Sequence, residues 1–200
     1  MRRLMVLNNL TLDGVMQSPG RADEDTRGGF PHGGWATKYG DPVLGEFLSR
    51  GMGAKTELVL GRRTYEDFAA FWPKQRNSPF TERLNSLTKH VASRTLTGPL
   101  SWGNSRLLAP DAVEAVASLK DEPGPDLLVM GSGNLLQSLI VGGLVDQYTL
   151  LIHPLILGAG SRLFAGNLPS AALELVESLT TTTGVIIAVY RPAAQGTPRS

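Results

Sequence analysis

Three short segments concentrate the residues able to do chemistry, and each closes an apolar run. Gly61-Arg62-Arg63-Thr64 follows Glu57-Leu58-Val59-Leu60 and sets two fixed positive charges where a helix begins. A helix N-terminus disfavours cations by roughly 0.3 kcal/mol or more each, while its unpaired N–H groups attract anions. Either a phosphate sits there or the two side chains simply extend into solvent. Val91-Ala92-Ser93-Arg94-Thr95 puts two hydroxyls around a guanidinium. That donor set suits a phosphate monoester such as the 2′-phosphate that separates NADPH from NADH. Met130-Gly131-Ser132-Gly133-Asn134 has the character of a glycine-rich phosphate turn. It departs from the Rossmann fingerprint, because Leu136 stands where the third glycine belongs and no acidic residue follows at the expected distance. Each segment alone is a weak signal. Together they matter because strand ends in an open α/β sheet converge on one crevice.

Candidates for acid–base work are fewer. Asp13 lies in the turn Asp13-Gly14, where it is either a site carboxylate or an ordinary turn residue, and Glu46 lies on a helix, where a solvated carboxylate is the plainer reading. His153 follows a strand and has no histidine or carboxylate spaced with it for a metal, so no metal site is expected. Phe30 and Trp35 can close over a planar ring or fill the core of a loop.

The elements that must position these residues follow from the pattern. Strands are expected at Leu4 to Leu12, Glu57 to Leu60, His90 to Ser93, Asp126 to Met130 and Tyr148 to Ile152. Helices are expected from Pro42 to Met52 with Asp41 as N-cap, from Thr64 with Asp67 completing a capping box, across Phe80 to Leu87, from Ala112 to Lys120, and from Gly133 to Ile140. Leu173 to Leu179 and Gly184 to Tyr190 read as a hairpin around Thr181-Thr182-Thr183. The stretch from Gln17 to Asp41 is glycine-rich, charged and aperiodic, which marks a long lid loop, and the tail from Pro192 reads as disordered. Alternating strands and helices followed by antiparallel strands give one α/β domain over 1–191, a mixed but mostly parallel sheet flanked by helices in three layers.

Composition narrows the function. Two hundred residues, 42% of them hydrophobic, close one core. The absence of cysteine excludes disulfides, thiolate-bound metals and a cysteine nucleophile. The first apolar run is too short for a signal peptide or a membrane span, so a cytoplasmic protein without a membrane partner is expected. A net charge of +1 with interleaved signs offers no stripe for nucleic acid.

With the three turns in this order, the chain resembles the dihydrofolate-reductase-like superfamily, in the branch similar to the C-terminal reductase domain of bacterial riboflavin biosynthesis. The likeness runs from about Arg3 to Arg191. Besides those turns it takes in Thr11-Leu12-Asp13-Gly14, Tyr65, Leu135 and Pro154-Leu155-Ile156-Leu157-Gly158-Ala159-Gly160 through Leu163-Phe164. The resemblance implies NADPH as cofactor. Gly61, Arg62, Arg63 and Thr64 would hold its pyrophosphate or 2′-phosphate, Ser93 and Arg94 the 2′-phosphate, and Gly131, Ser132, Gly133, Asn134 and Leu135 would run under the pyrophosphate. Asp13, Gly14 and Val15 would lie by the nicotinamide. In that family the glycine-rich turn often contains a cis peptide, which here would join Gly131 to Ser132. Dihydrofolate reductases carry an acid on the first helix, where Asp41 and Glu46 are the carboxylates present. The resemblance further implies a homodimer acting on a small molecule, by hydride transfer to a pteridine, pyrimidine or ribosylaminopyrimidine-type ring. The riboflavin-pathway enzyme is usually fused to a deaminase domain with zinc ligands, which this cysteine-free chain lacks. A non-catalytic NADPH-binding module on the same fold is the alternative, and a structural homodimer that binds only stray anions is a third.

Overall fold

The computed structural model describes residues 1–53, 56–76 and 78–193. Eight strands form one sheet: β1 (Leu4–Thr11), β2 (Thr56–Gly61), β3 (Lys89–Ala92), β4 (Ser105–Leu107), β5 (Asp126–Met130), β6 (Gln147–His153), β7 (Leu173–Thr180) and β8 (Ile186–Pro192). Five α-helices accompany them: α1 (Pro42–Gly53), α2 (Arg62–Phe71), α3 (Pro79–Ser86), α4 (Ala112–Asp121) and α5 (Gly133–Val141). The sheet order is β4-β3-β2-β5-β1-β6-β8-β7, parallel from β4 to β6, with β8 antiparallel to both of its neighbours.

Both faces of the central strands are covered, which is why β2 and β5 are almost wholly apolar. On one face Val6, Val59 and Val129 pack under Val116 and Leu119 of α4 and Leu136 and Leu139 of α5. On the other, Leu58, Leu60 and Leu128 meet Tyr65 of α2, Leu84 of α3 and Trp102. Leu151 and Ile187 lie under Leu44, Phe47 and Leu48 of α1. No helix among the described residues is long and apolar enough to cross a membrane.

Most expected elements stand within a residue or two of their positions. One boundary differs for a physical reason: α2 starts at Arg62, not Thr64, and Gly61 is its N-cap. The strand passes into the helix without a loop because Gly61 lies against the β5 turn, where an added Cβ would come within 3.3 Å of Ser132 Cβ. Thr64 and Asp67 therefore form no capping box, and Asp67 pairs with Arg21 of the long loop. The strand β4 is an element the pattern did not announce. Pro192 lies in β8, and the rest of the expected tail, from residue 194, falls outside the described residues.

The loop from 17 to 41 is folded down as a strap. Val15, Phe30 and Trp35 are 0%, 7% and 6% exposed and make a small core with Leu155 and Leu157. Trp35 Nε1 donates to the Gln17 carbonyl at 2.7 Å. Arg21 pairs with Asp67 on α2, its guanidinium 4.2 Å from the centre of the Phe71 ring. At the far end Thr183 Oγ1 donates to the Tyr39 carbonyl at 2.8 Å, and Asp41 accepts from Thr182 N at 2.7 Å.

Candidate active site

The last paired residues of β1 and β5 are Leu7 and Met130, but β1 runs on four residues to Thr11, paired only with β6. The chain turns off to opposite sides of the sheet here, leaving a crevice of the kind that holds ligands in open α/β folds. Around it the ends of β3, β2, β5 and β1 stand side by side, so the expected segments do come together.

Three polar bonds lock the turns to one another. Gly61 N donates to Ser132 Oγ at 2.8 Å, Gly131 N donates to Asn8 Oδ1 at 3.0 Å, and Arg62 Nη1 donates to Thr95 Oγ1 at 2.6 Å. Gly131 has φ +64, and a Cβ there would sit 3.4 Å from the Thr64 methyl, so the two turns are in contact. Ser132 is left-handed at φ +61, a costly state for a residue with a side chain, held by its bond to Gly61. The Gly131–Ser132 peptide is not cis: the cis peptide among the described residues is Gly98–Pro99. Leu135 packs behind Gly61, and Gly133 opens α5 beside Met16.

The helix starts differ in a telling way. Asp41 caps α1, Ser78 caps α3 and Asp111 caps α4 with side-chain oxygens. The starts of α2 and α5, the two at the crevice, have no side-chain cap, because Gly61 has no side chain and the Ser132 hydroxyl is taken by Gly61. Their leading N–H groups are left to a ligand or to water. Arg62 is partly committed to Glu66 at 2.9 Å. Arg63 and Arg94 are exposed and make no ion pair or hydrogen bond among the described residues. Ser93 Oγ accepts from Thr95 N and Leu96 N at 3.1 and 2.9 Å and so shapes the turn that carries Arg94. Asn134 is exposed on the first turn of α5.

On the β1 side, Asp13 is a tie. It accepts from the Thr11 hydroxyl, from Leu157 N at 3.2 Å and Gly158 N at 2.9 Å, and pairs with Arg162 at 3.2 Å. The Thr11 hydroxyl foremost, then burial opposing it and the two backbone N–H groups reinforcing it, leave its pKa lowered to about 2. Gly14 and Val15 turn back against Thr11, whose Oγ1 accepts from Val15 N at 2.9 Å. Glu46 is exposed on α1 and makes no hydrogen bond or ion pair among the described residues. The α1 face toward the sheet is Leu44, Phe47 and Leu48, without a carboxylate. Between that helix and the sheet is a cavity of about 340 Å³ walled by Met5, Leu7, Phe47, Leu48 and Thr149, with Arg50, Glu177 and Arg191 also lining it.

Residues 2–187 match the family described as the RibD C-terminal domain. The chain belongs to that family. A relative, the uncharacterized protein YyaP of Bacillus subtilis (strain 168), is 29% identical over 196 residues, covering 94% of each chain. Solved structures share the fold. A putative riboflavin biosynthesis protein from Shewanella sp. PV-4 has a TM-score of 0.63 at 19% identity, covering 96% of this chain and 99% of that one. A pyrimidine reductase-like protein from Corynebacterium diphtheriae reaches 0.65 at 13% identity, covering 97% and 93%. Dihydrofolate reductase from Enterococcus faecalis, complexed with NADP(H), reaches 0.62 at 15% identity, covering 96% and 97%. The dihydrofolate-reductase-like architecture expected from the three turns is thus the fold of this RibD C-terminal domain family member.

Several side chains at this family member's crevice were not singled out by pattern: Asn8, Asn9 and Met16. Two adjacent amides inside an apolar strand were the available signal for the first two.

Proposed function

We propose that the protein is an NADPH-dependent reductase acting on a small planar heterocycle of the pteridine, pyrimidine or ribosylaminopyrimidine type. The observation that carries this reading is the pair of uncapped helix starts, α2 and α5, meeting at the sheet's switch point with Arg63 and Arg94 unpaired beside them. A pyrophosphate fits the N–H groups of Ser132 to Leu135 and of Arg62 to Thr64, those of Gly131 and Gly61 being already donated to Asn8 and Ser132, and a 2′-phosphate fits Arg94 and the turn that Ser93 shapes. The close approach at Gly131 and Gly61, where a Cβ would touch Thr64 or Ser132, is the cradle such a group needs.

When bound, NADPH supplies the hydride. The chain's own part is to bind, align and exclude water. Asp13, held ionised, anchors the 157–162 loop and gives no proton, and the α1 residues packed on the sheet, Leu44, Phe47 and Leu48, are apolar. A proton then comes from solvent or from Glu177, a carboxylate that lines the cavity beside Phe47 and Leu48, and that cavity takes the substrate ring. The lack of a carboxylate on the inward face of α1 favours, as a second reading, an NADPH-binding module without turnover. We further propose a homodimer through the β7 edge, where Leu173, Leu175 and Val176 are exposed. Leu175→Lys should leave a monomer in sedimentation velocity.

Thermal unfolding with NADPH, NADH or inorganic phosphate tests the cofactor. At 100-fold excess over Kd, NADPH adds about 2.7 kcal/mol. NADPH should stabilise more than NADH, and Arg94→Ala should erase the difference. Equal stabilisation by all three ligands would sink the reading. Loss of nicotinamide absorbance with aminopyrimidine ribosides or dihydropteridines then separates an enzyme from a module that only binds.

A further inference from the structure

We propose that Asn9 reads the nicotinamide end of the cofactor, its amide N–H groups donating to the carboxamide oxygen, and that His153 is the positioning residue that holds Asn9 for this task. The inference rests on the NADPH reading above.

Asn9 lies on the stretch of β1 beyond its last pairing with β5, between the Asp13–Val15 turn and the Gly131 turn. Its neighbour Asn8 has a local purpose, since Oδ1 of Asn8 accepts the Gly131 N–H. Asn9 has no such backbone duty. Asparagine is disfavoured in strands, and apart from Asn8 the rest of β1 up to Leu10 is apolar, so the strand pattern does not call for a polar residue here.

Its one hydrogen bond fixes how it faces. Asn9 Oδ1 is 2.9 Å from His153 Nε2. His153 is 1% exposed and is set edge-on against Trp35 and Tyr39, with ring centroids 5.1 and 5.2 Å away. Its Nδ1 is buried without a partner. A proton on Nδ1 would be an orphaned buried donor, whereas a bare lone pair among ring edges costs less. The hydrogen therefore resides on Nε2 and is donated to Asn9 Oδ1. The Asn9 amide nitrogen is turned the other way, half-buried but not sealed off, and it carries two donors that no described residue accepts. Burial lowers the imidazole to about 4, so it stays a neutral single donor across the working range. A planar ring entering this crevice with an exocyclic carbonyl meets a preset pair of N–H groups, and the carboxamide of nicotinamide is that acceptor. Because Trp35 and Tyr39 belong to the strap, the strap braces His153, and His153 braces Asn9.

The test titrates wild type, Asn9→Asp, His153→Phe and His153→Gln with NADPH and, in parallel, with 2′,5′-ADP, which lacks the nicotinamide. Asn9→Asp keeps the acceptor for His153 and removes the donors. It should weaken NADPH about tenfold, equivalent to 1.4 kcal/mol, and leave 2′,5′-ADP unchanged. His153→Phe should show the same split, and His153→Gln, whose amide N–H stands in for Nε2–H, should restore NADPH affinity to within about twofold. Folded Asn9→Asp that binds NADPH like wild type, or that loses both ligands equally, overturns the proposal. If Asn9→Asp does not fold, the thionicotinamide analogue of NADPH does the same work on the wild type. Its sulfur is a poorer acceptor and should bind several-fold more weakly, and equal binding overturns the proposal. Wild type that binds neither NADPH nor 2′,5′-ADP defeats the cofactor reading itself, whereas NADPH binding without the split defeats this inference alone.

Discussion

Substituting alanine at Gly160 should damage the strap far more than the same change two residues earlier at Gly158. Both glycines are left-handed, at φ +111 and +73, so both alanines incur backbone strain. They differ in what the new methyl meets. At Gly158 nothing lies within 4 Å, while at Gly160 the Cβ would come 2.7 Å from Phe30 Cε2 and 2.8 Å from Val15 Cγ1. Val15 is fully buried and β-branched, and the Phe30 ring is part of the same small core, so neither gives way freely. Backbone strain alone costs roughly 1–2 kcal/mol, and overpacking adds roughly 1–3 kcal/mol. If Phe30 instead swings out, the lost burial is about 3 kcal/mol. Between the two routes Gly160→Ala loses about 2–5 kcal/mol and Gly158→Ala about 1–2 kcal/mol. For a chain of this size that is on the order of 10 °C against 4 °C in Tm. Circular dichroism melts of the two variants, with limited proteolysis across 17–41, provide the comparison. Tm values within about 2 °C of each other, with the strap equally resistant to protease, would mean that Gly160 does not pin the strap and that the packing argument is wrong.

Further outcomes follow from the charges. Asp13 has its carboxyl lowered from 3.8 to about 2 in the folded chain, so its stabilisation is complete above about pH 4 and is lost as pH falls toward 2. Acid titration of unfolding midpoints should show that loss in wild type and not in Asp13→Asn, which starts lower. Lys89 is fully buried, donating to the Asn85 and Gly103 carbonyls at 2.8 and 3.0 Å, and burial lowers it from 10.5 to about 8. The unfolded chain then holds the extra proton between those values, so wild type should gain stability relative to Lys89→Met as pH rises from about 8 to 10.5, measured by urea midpoints. Arg21→Ala removes the partner of a half-buried carboxylate and should loosen the strap by about 1–3 kcal/mol, read as faster amide exchange over 17–41. Asp67→Asn in that background should recover part of the loss.

How much of this was legible depended on how local each cause is. The three crevice turns were visible because glycine, arginine and hydroxyl residues sit where apolar runs stop, and β2, β5 and α5 are specified within a few residues of chain. The start of α2 was not, since Thr64 and Asp67 imitate a capping box while the bond that shapes the junction comes from Ser132, 71 residues away. The strap was recognisable as a long loop with Phe30 and Trp35 able to close it, yet its anchors lie far off along the chain: Asp67 is 46 residues from Arg21, and the Gly160 contact is more distant still. Three residues of β4 are too few for a period. Glu46 was readable as a solvated helix carboxylate, because Leu44, Phe47 and Leu48 at helical spacing fix the inward face of α1 and leave position 46 outside it.

The two adjacent amides of β1 show where a pattern that fails locally is informative. Leu4 to Leu7 and Leu10 satisfy a buried strand, and Asn8-Asn9 interrupts it at the level where β5 ends and β1 loses its neighbour. A buried polar group survives there only if something meets it. For Asn8 the partner is the Gly131 N–H, which sets the turn beneath the crevice, though its own Nδ2 remains buried and unpaired. For Asn9 the carbonyl is met by His153 and the amide nitrogen is left open. The interruption marks the position at which β1 loses its pairing with β5 and keeps only that with β6. On the proposed reading β1 is a core strand throughout, with Leu10 still in the core, and Asn9 is the one position past Leu7 that turns donors to a ligand.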